Sequence, residues 1–97
     1  MNKPWAILTG NIYGLYNRIN RCKPGMLHDL ADELNVGIIM LTETHLNSDI
    51  KDAEIGIHGF DIYRSDRNGS KNGGVMVYLK SSLNLGTKLS IAYRITI

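Results

Sequence analysis

The sequence predicts an α/β fold in which two parallel strands flank an amphipathic helix. One apolar run, 36–41, ends two residues before Glu43, which carries a carboxylate. An earlier run, 7–12, has the amide residue Asn11 next to its end. The segment between them has helical periodicity. Because a β-α-β crossover makes its strands parallel, we expect Asn11 and Glu43 at the same carboxyl edge of the sheet. Open α/β sheets bind ligands at that edge.

The predicted helix covers 24–34. Pro24 suits a first helical turn, where its missing N–H has no partner to lose. Asn35 is a typical left-handed residue at a helix C-terminus. The strand that follows, 36–41, is apolar on both faces, which is typical of a central strand covered on each side. One stripe of the helix is apolar at positions i, i+3, i+4 and i+7, formed by Leu27, Leu30, Ala31 and Leu34.

The rest of the chain predicts a short helical turn at 50–55 and further strands. Alternation at 60–63 and 75–79 indicates an antiparallel pair joined by the long basic loop 64–74. The final segment, 89–97, alternates with period two, as a half-buried strand does. Because the sequence stops inside this apolar strand, we expect a partial domain whose sheet continues in further sequence.

Composition restricts the class of protein. At 97 residues the chain is at most one small domain, and 43% hydrophobic with 21% charged residues excludes the disordered class. A net charge of +2 is too small to establish nucleic-acid binding without local clustering. The lone Cys22 forms no internal disulfide or thiolate cluster, which fits an intracellular protein. No signal peptide or bilayer-spanning run is visible, so no membrane association is expected.

Three short segments carry a resemblance to a known family. They are NIYGL at 11–15, LTETHL at 41–46, and YRSDR at 63–67 followed by GGVMVY at 73–78. In this order the chain resembles the N-terminal half of the endonuclease/exonuclease/phosphatase superfamily, and within it the apurinic-endonuclease-like domain of non-LTR retrotransposons. The resemblance implies that 1–97 is a partial domain: the truncated N-terminal half of a four-layer α/β sandwich.

The resemblance also implies catalytic roles for two residues. Glu43 would be the principal protein ligand of Mg²⁺, with Mn²⁺ as an alternative, and Asn11 would stand beside the metal. The chemistry agrees, because Mg²⁺ prefers oxygen ligands and is commonly held by one or two carboxylates with water and substrate phosphate. Tyr13 departs from the pattern, since many apurinic-type members have an acidic residue there. The family's water-activating residues belong to a second half that is not in this sequence, so the isolated chain is expected to be inactive.

The implied partners are DNA, the second half of the domain and a downstream reverse transcriptase, and the implied location is the nucleus. Guanidinium and ammonium groups bind DNA phosphates. The alternative is that the charge run is solvated and that Asp66 pairs with an arginine of the loop. Candidate DNA contacts form two basic clusters: Arg18 and Arg21, and the loop residues Arg64, Arg67 and Lys71.

Each residue near the predicted sheet edge also has a second interpretation. Asn11 has a rival role as a turn residue that accepts a hydrogen bond from its own backbone. Glu43 has a rival role as a surface loop acid. His45 would share a face with Glu43 if the segment were extended, but a solvated loop histidine is the favoured interpretation. For the whole chain, the rival functions are a non-catalytic α/β remnant or interaction module and, less favoured, a phosphatase of the same fold.

Overall fold

The computed structural model describes residues 5–17, 19, 21–67, 73–83 and 91–96. The helices are α1 (Lys23–Leu34) and α2 (Asp52–Ile55), with one turn of 3₁₀-helix at Ser81–Leu83. Two of the predicted DNA contacts, Arg18 and Lys71, lie outside the described residues. The strands are β1 (Trp5–Asn11), β2 (Val36–Thr42), β3 (Phe60–Ser65), β4 (Val75–Lys80) and β5 (Ile91–Thr96).

The strands form one sheet in the order β3-β4-β2-β1-β5. β1 runs parallel to β2 and to β5, while β4 runs antiparallel to β2 and β3. The predicted parallel β-α-β unit, the central place of β2 and the antiparallel β3–β4 pair are therefore confirmed. In the β1–β2 register Asn11 lies opposite Thr42, the residue before Glu43.

Helix α1 forms for the reasons that its sequence suggests. Pro24 lies in its first turn, and Asn35 ends it in the left-handed conformation (φ 54°), with its backbone N–H donating to the carbonyl of Ala31. Leu27 and Ala31 are buried, and Leu30 with Leu34 pack partly buried against the core. The apolar stripe thus packs against the sheet. Burial of this face stabilises a 12-residue helix that would be marginal alone.

One face of β2 is uncovered at Met40 in the described part of the chain, so the prediction of cover on both faces is wrong at that position. Ile39 and Leu41 are buried in the core, but the intervening Met40 is 45% exposed. Alternate residues of a strand point to opposite faces, and the helix packs on one face alone. We call the uncovered side the open face; it lines a hollow of about 670 Å³ and includes Thr9, Met40, Tyr63, Val75 and Val77.

Candidate metal-binding site at the sheet edge

The loop after β1 is hydrogen-bonded to the end of β2 and to the loop that follows it. The backbone N–H of Ile12 donates to the carbonyl of Thr42 (3.0 Å), and that of Gly14 donates to the carbonyl of Glu43 (2.8 Å). These bonds hold the two loops together beyond the last residues of the strands. Asn11 and Glu43 therefore lie at the same carboxyl edge, as the topology predicted.

The Glu43 carboxylate is held by two hydrogen bonds on one oxygen. Its Oε2 accepts from Nε2 of His45 (2.9 Å) and from the backbone N–H of Gly73 (3.0 Å). These two bonds, with that of His45 the larger influence, lower the pKa of the Glu43 carboxyl. The side chain is 39% exposed. Glu43 thus presents an ionised carboxylate that is fixed in direction yet open to solvent.

Backbone bonds join the Glu43 loop to the start of β4. The N–H of His45 donates to the carbonyl of Gly73 (2.9 Å), and the N–H of Thr44 donates to that of Gly74 (3.4 Å). Gly73 has a φ of 91°, a conformation that L side chains rarely adopt. The Gly-Gly pair noted in the sequence therefore brings a backbone donor to the Glu43 carboxylate from a distant part of the chain.

Asn11 is a turn residue, which is the alternative interpretation that its sequence position allowed. Its side chain is exposed, and Oδ1 accepts a hydrogen bond from the backbone N–H of Tyr13 (3.1 Å). No hydrogen bond joins its side chain to Glu43 among the residues that the structure describes. Asn11 is thus placed at the predicted edge, with its side-chain oxygen Oδ1 already accepting one hydrogen bond.

The interpretation of His45 as a solvated loop residue is wrong. Its side chain is 28% exposed and contacts the Glu43 carboxylate. The contact also does not come from an extended segment, because Glu43 and His45 have φ values of 54° and 56°. The Glu-x-His spacing was a signal, but the left-handed turns that bring the two side chains together are stabilised by the Gly73 segment, which the local sequence does not reveal.

Arg64 is engaged in hydrogen bonds within the protein, and its role as a DNA contact stays a prediction. Its side chain is 14% exposed. The guanidinium donates to both carboxylate oxygens of Asp66 and to Asp52, and also to the carbonyls of Asn47 and Ile50. These bonds raise the pKa of Arg64, chiefly through Asp66. The alternative in which Asp66 pairs with an arginine describes this residue.

Arg67 differs from Arg64 because it is exposed and stands beside the site. Its side chain packs on Gly73, where an added Cβ would lie 2.6 Å from Cδ of Arg67. Its charge contributes to lowering the pKa of Glu43. Arg21 is also exposed, in the segment before α1. Both residues are exposed, and their role as DNA contacts stays a prediction.

Lys23 acts on the loop after β1. Its Nζ donates to the carbonyls of Ile12 (2.9 Å) and Gly14 (2.7 Å). In the fold it fixes the loop that lies between Asn11 and a small pocket bordered by Tyr13 and His45.

The residues at this edge suit a magnesium ion that keeps water ligands. Within the described ranges they do not form a site in which the protein supplies every ligand. Among the described residues no group of three or more His, Cys, Asp or Glu side chains is placed to hold a metal. Mg²⁺ does not need one, because it retains several waters and takes one or two carboxylates with substrate phosphate. The ionised, solvent-accessible Glu43 with a nearby amide supplies that partial set of oxygen ligands.

The fold is shared with solved structures of two other proteins. Over 78% of its length the chain superimposes on the catalytic domain of Xenopus laevis APE2, with 29% sequence identity and a TM-score of 0.57. Over 80% it superimposes on the AP endonuclease LMAP of Leishmania major, with 22% identity and a TM-score of 0.65. The chain has the fold of an AP endonuclease, in part. The match confirms the resemblance to the endonuclease/exonuclease/phosphatase superfamily that the sequence motifs indicated, and the likeness to retrotransposon members stays a prediction.

The chain spans 23% of the APE2 domain and 24% of LMAP. Neither a family model nor a curated protein sequence matches it. In the part of the chain that the structure describes, no helix is both long enough and apolar enough to cross a bilayer.

Proposed function

We propose that this chain is the N-terminal part of a Mg²⁺-dependent DNA endonuclease domain, with Mn²⁺ as an alternative metal. One observation carries the proposal: the Glu43 carboxylate, kept ionised by two hydrogen bonds, lies beside the end of β1 at the carboxyl edge of an AP endonuclease fold. Glu43 is the metal ligand, and Asn11 is the neighbouring catalytic amide. DNA is the substrate, since the two similar structures are AP endonucleases.

The chemistry follows from what each residue offers. Glu43 and Asn11 would hold the cation, which supplies Lewis-acid polarisation of a phosphoryl oxygen and stabilises the leaving oxygen. Arg21 and Arg67 bind backbone phosphates from exposed positions, and Arg18 and Lys71 are proposed for the same role on their sequence positions. Because phosphate contacts fix the register of a protein on DNA, these basic side chains would orient the scissile bond toward Glu43.

The biological setting that we propose is retrotransposition. The segments 63–67 and 73–78 support it, because they resemble the retrotransposon members of the superfamily. In that setting the domain nicks target DNA to prime reverse transcription, its partners are the second half of the domain and a downstream reverse transcriptase, and it acts in the nucleus. The 97 residues would then be a partial domain that is inactive alone, since the superfamily's water-activating residues belong to the second half.

The second candidate, a non-catalytic interaction module, is favoured by the open face. Three apolar residues there are exposed, with Met40 at 45%, Tyr63 at 59% and Val75 at 51%. Such a surface serves binding without any metal. The two functions differ in whether Glu43 matters, and that difference decides between them.

Metal binding tests the proposal on the chain itself. With one carboxylate and one amide, we expect Mn²⁺ to bind with a dissociation constant on the order of millimolar, worth about 4 kcal/mol. Paramagnetic broadening of backbone amides should centre near Asn11 and Glu43, and Glu43→Gln should abolish it. Broadening centred instead on the acidic residues Asp29, Asp32 and Glu33 of α1 would leave the site unsupported.

Nicking of supercoiled plasmid tests the activity. The isolated chain should not nick DNA in Mg²⁺, whereas a polypeptide extended by the second half of the domain should. Glu43→Ala should abolish nicking by the extended protein. Glu33→Ala is the matched control, since Glu33 is an exposed glutamate on α1, and it should retain activity. Nicking that persists in Glu43→Ala would contradict the role of Glu43 as the metal ligand.

A further inference from the structure

The two hydrogen bonds to Glu43 are both made to the same oxygen. Oε2 accepts from Nε2 of His45 at 2.9 Å and from the N–H of Gly73 at 3.0 Å. A carboxylate can only accept, so the hydrogen in the first bond is carried by Nε2 of His45. Within the described ranges no hydrogen bond reaches Oε1. The two oxygens of one carboxylate are therefore in different situations.

This asymmetry restricts how the carboxylate meets a cation. The donors on Oε2 already direct N–H groups at its lone pairs, and a cation approaching that oxygen would have to displace one of them. Among the residues that the structure describes, Oε1 has no such competitor, and it belongs to a side chain that is 39% exposed. Hydrogen bonds to the non-coordinating atoms of a ligand are also what orients ligands at metal sites and tunes their basicity.

The backbone of the Glu43 loop has an uncommon conformation at two residues. Glu43 and His45 both have positive φ, at 54° and 56°. Non-glycine residues hold this conformation only where surrounding structure enforces it. The N–H of His45 donates to the carbonyl of Gly73 (2.9 Å), while the N–H of Gly73 donates to Glu43. The three residues thus form a closed set of mutual hydrogen bonds around Oε2.

We propose that His45 is a positioning residue, which together with the Gly73 N–H holds Oε2 of Glu43 so that Oε1 alone is offered to a divalent cation. The inference rests on the proposed function of Glu43 as a metal ligand. His45 does not itself bind the metal or the substrate. Its role is to fix the carboxylate before the cation arrives.

Substitutions at two histidines test the proposal on the 97-residue chain. His45→Ala removes the donor, and His45→Gln keeps an N–H group of similar reach. His58→Ala is the control, because His58 is exposed in a turn away from the site. The metal readout is the Mn²⁺ concentration that gives half-maximal broadening of the amides near Glu43. The metal-free readout is the pKa of Glu43 from ¹³C NMR titration.

We expect His45→Ala to raise the half-maximal Mn²⁺ concentration about tenfold and to raise the pKa of Glu43. His45→Gln should restore most of both properties, and His58→Ala should match the wild type. A purely structural role would be expected to perturb the amide spectrum without rescue by glutamine. If His45→Ala is unfolded, the test rests on His45→Gln and the wild type. The proposal requires these two proteins to have similar half-maximal Mn²⁺ concentrations and similar pKa values of Glu43.

The outcomes separate this inference from the proposed function. If Glu43→Gln abolishes Mn²⁺ binding while His45→Ala binds like the wild type, the metal site stands and the positioning role is overturned. A His45→Gln variant that folds but has lost the affinity also overturns it, since the imidazole would then act other than as a donor. If Glu43→Gln leaves Mn²⁺ binding unchanged, the proposed function fails first.

Discussion

A Cβ atom on Gly74 would lie 2.6 Å from Oγ1 of Thr44, a side chain that is completely buried. Gly74 also has a φ of 90°, and its carbonyl accepts the N–H of Thr44 at 3.4 Å. This bond joins the Glu43 loop to the start of β4, so the backbones of the two residues are held together. The second glycine of the Gly-Gly pair is therefore a steric requirement of the site.

Gly74→Ala should lower the free energy of unfolding by about 2 kcal/mol or more, through backbone strain and the clash with Thr44. Adding Thr44→Ala removes the clashing atom, so the double variant should lose less than the sum of the single losses. Gly25→Ala is the control, since an added Cβ there meets nothing within 4 Å. Urea denaturation measures each of these proteins, and an unaffected Gly74→Ala would contradict this account.

Tyr78→Phe should lower the free energy of unfolding by about 1–2 kcal/mol. The buried hydroxyl of Tyr78 donates to the carbonyl of Ile55, and phenylalanine would leave that carbonyl without this donor. The bond ties α2 to β4. Tyr63→Phe, at an exposed position on the open face, should change stability little, and equal losses in the two variants would argue against a specific hydrogen bond.

The same tyrosine sets the pH dependence of that loss. Burial raises the pKa of Tyr78 well above its ordinary value of 10.0. A group whose pKa is raised in the folded state stabilises fully below its unfolded pKa and loses that contribution as the pH rises toward the folded value. The difference in unfolding free energy between wild type and Tyr78→Phe should therefore be constant up to about pH 10 and shrink above it. Denaturation at stepped pH measures it.

Arg64→Ala should destabilise the protein by about 2 kcal/mol, the scale of hydrogen bonds to charged groups. Its removal leaves the Asp66 carboxylate, whose side chain is only 15% exposed, without its strongest partner. Arg64→Lys should recover little, because an ammonium cannot reproduce the paired bonds of a guanidinium. Thermal unfolding provides the measurement, and wild-type stability in Arg64→Ala would show that the ion pairs contribute nothing net.

Arg67→Ala should leave stability within about 0.5 kcal/mol of the wild type, as expected of an exposed position. It should instead weaken DNA binding and reduce the slope of log affinity against log salt by about 1, since one phosphate contact is lost. Fluorescence anisotropy over a salt series measures both. A stability loss as large as that of Arg64→Ala, with unchanged DNA affinity, would reverse the two assignments.

The open face predicts self-association of the isolated chain. Its exposed apolar side chains Met40, Tyr63 and Val75 lie on the neighbouring strands β2, β3 and β4 and favour contact with another chain. At the other side of the sheet, the edge strand β5 favours pairing with a strand of another chain. Met40→Glu should reduce association, whereas Met26→Glu, at an exposed methionine on α1, should not. Light scattering after size-exclusion chromatography distinguishes them. A monodisperse wild-type monomer at micromolar concentration would contradict the prediction.

Local sequence was enough for the elements and for where they end. Pro24 and Asn35 marked the limits of α1, and apolar runs located β1 and β2, because these choices depend on backbone conformation and on burial of one stripe. Parallel pairing followed from the crossover helix, so the shared edge of Asn11 and Glu43 was predictable. The cover of β2 was not, since an apolar strand has the same sequence whether one face or both are packed.

The sequence by itself thus determined the β-α-β unit, the carboxyl edge and the identity of Glu43 as its acid. Only the tertiary structure decided that His45 and Gly73 bind one oxygen of that acid, and that Arg64 is engaged while Arg67 is exposed. The reason is physical. Element type depends on neighbours a few residues away, whereas a side chain's partners depend on which distant segment is folded against it, as Gly73 is against Glu43, 30 residues earlier.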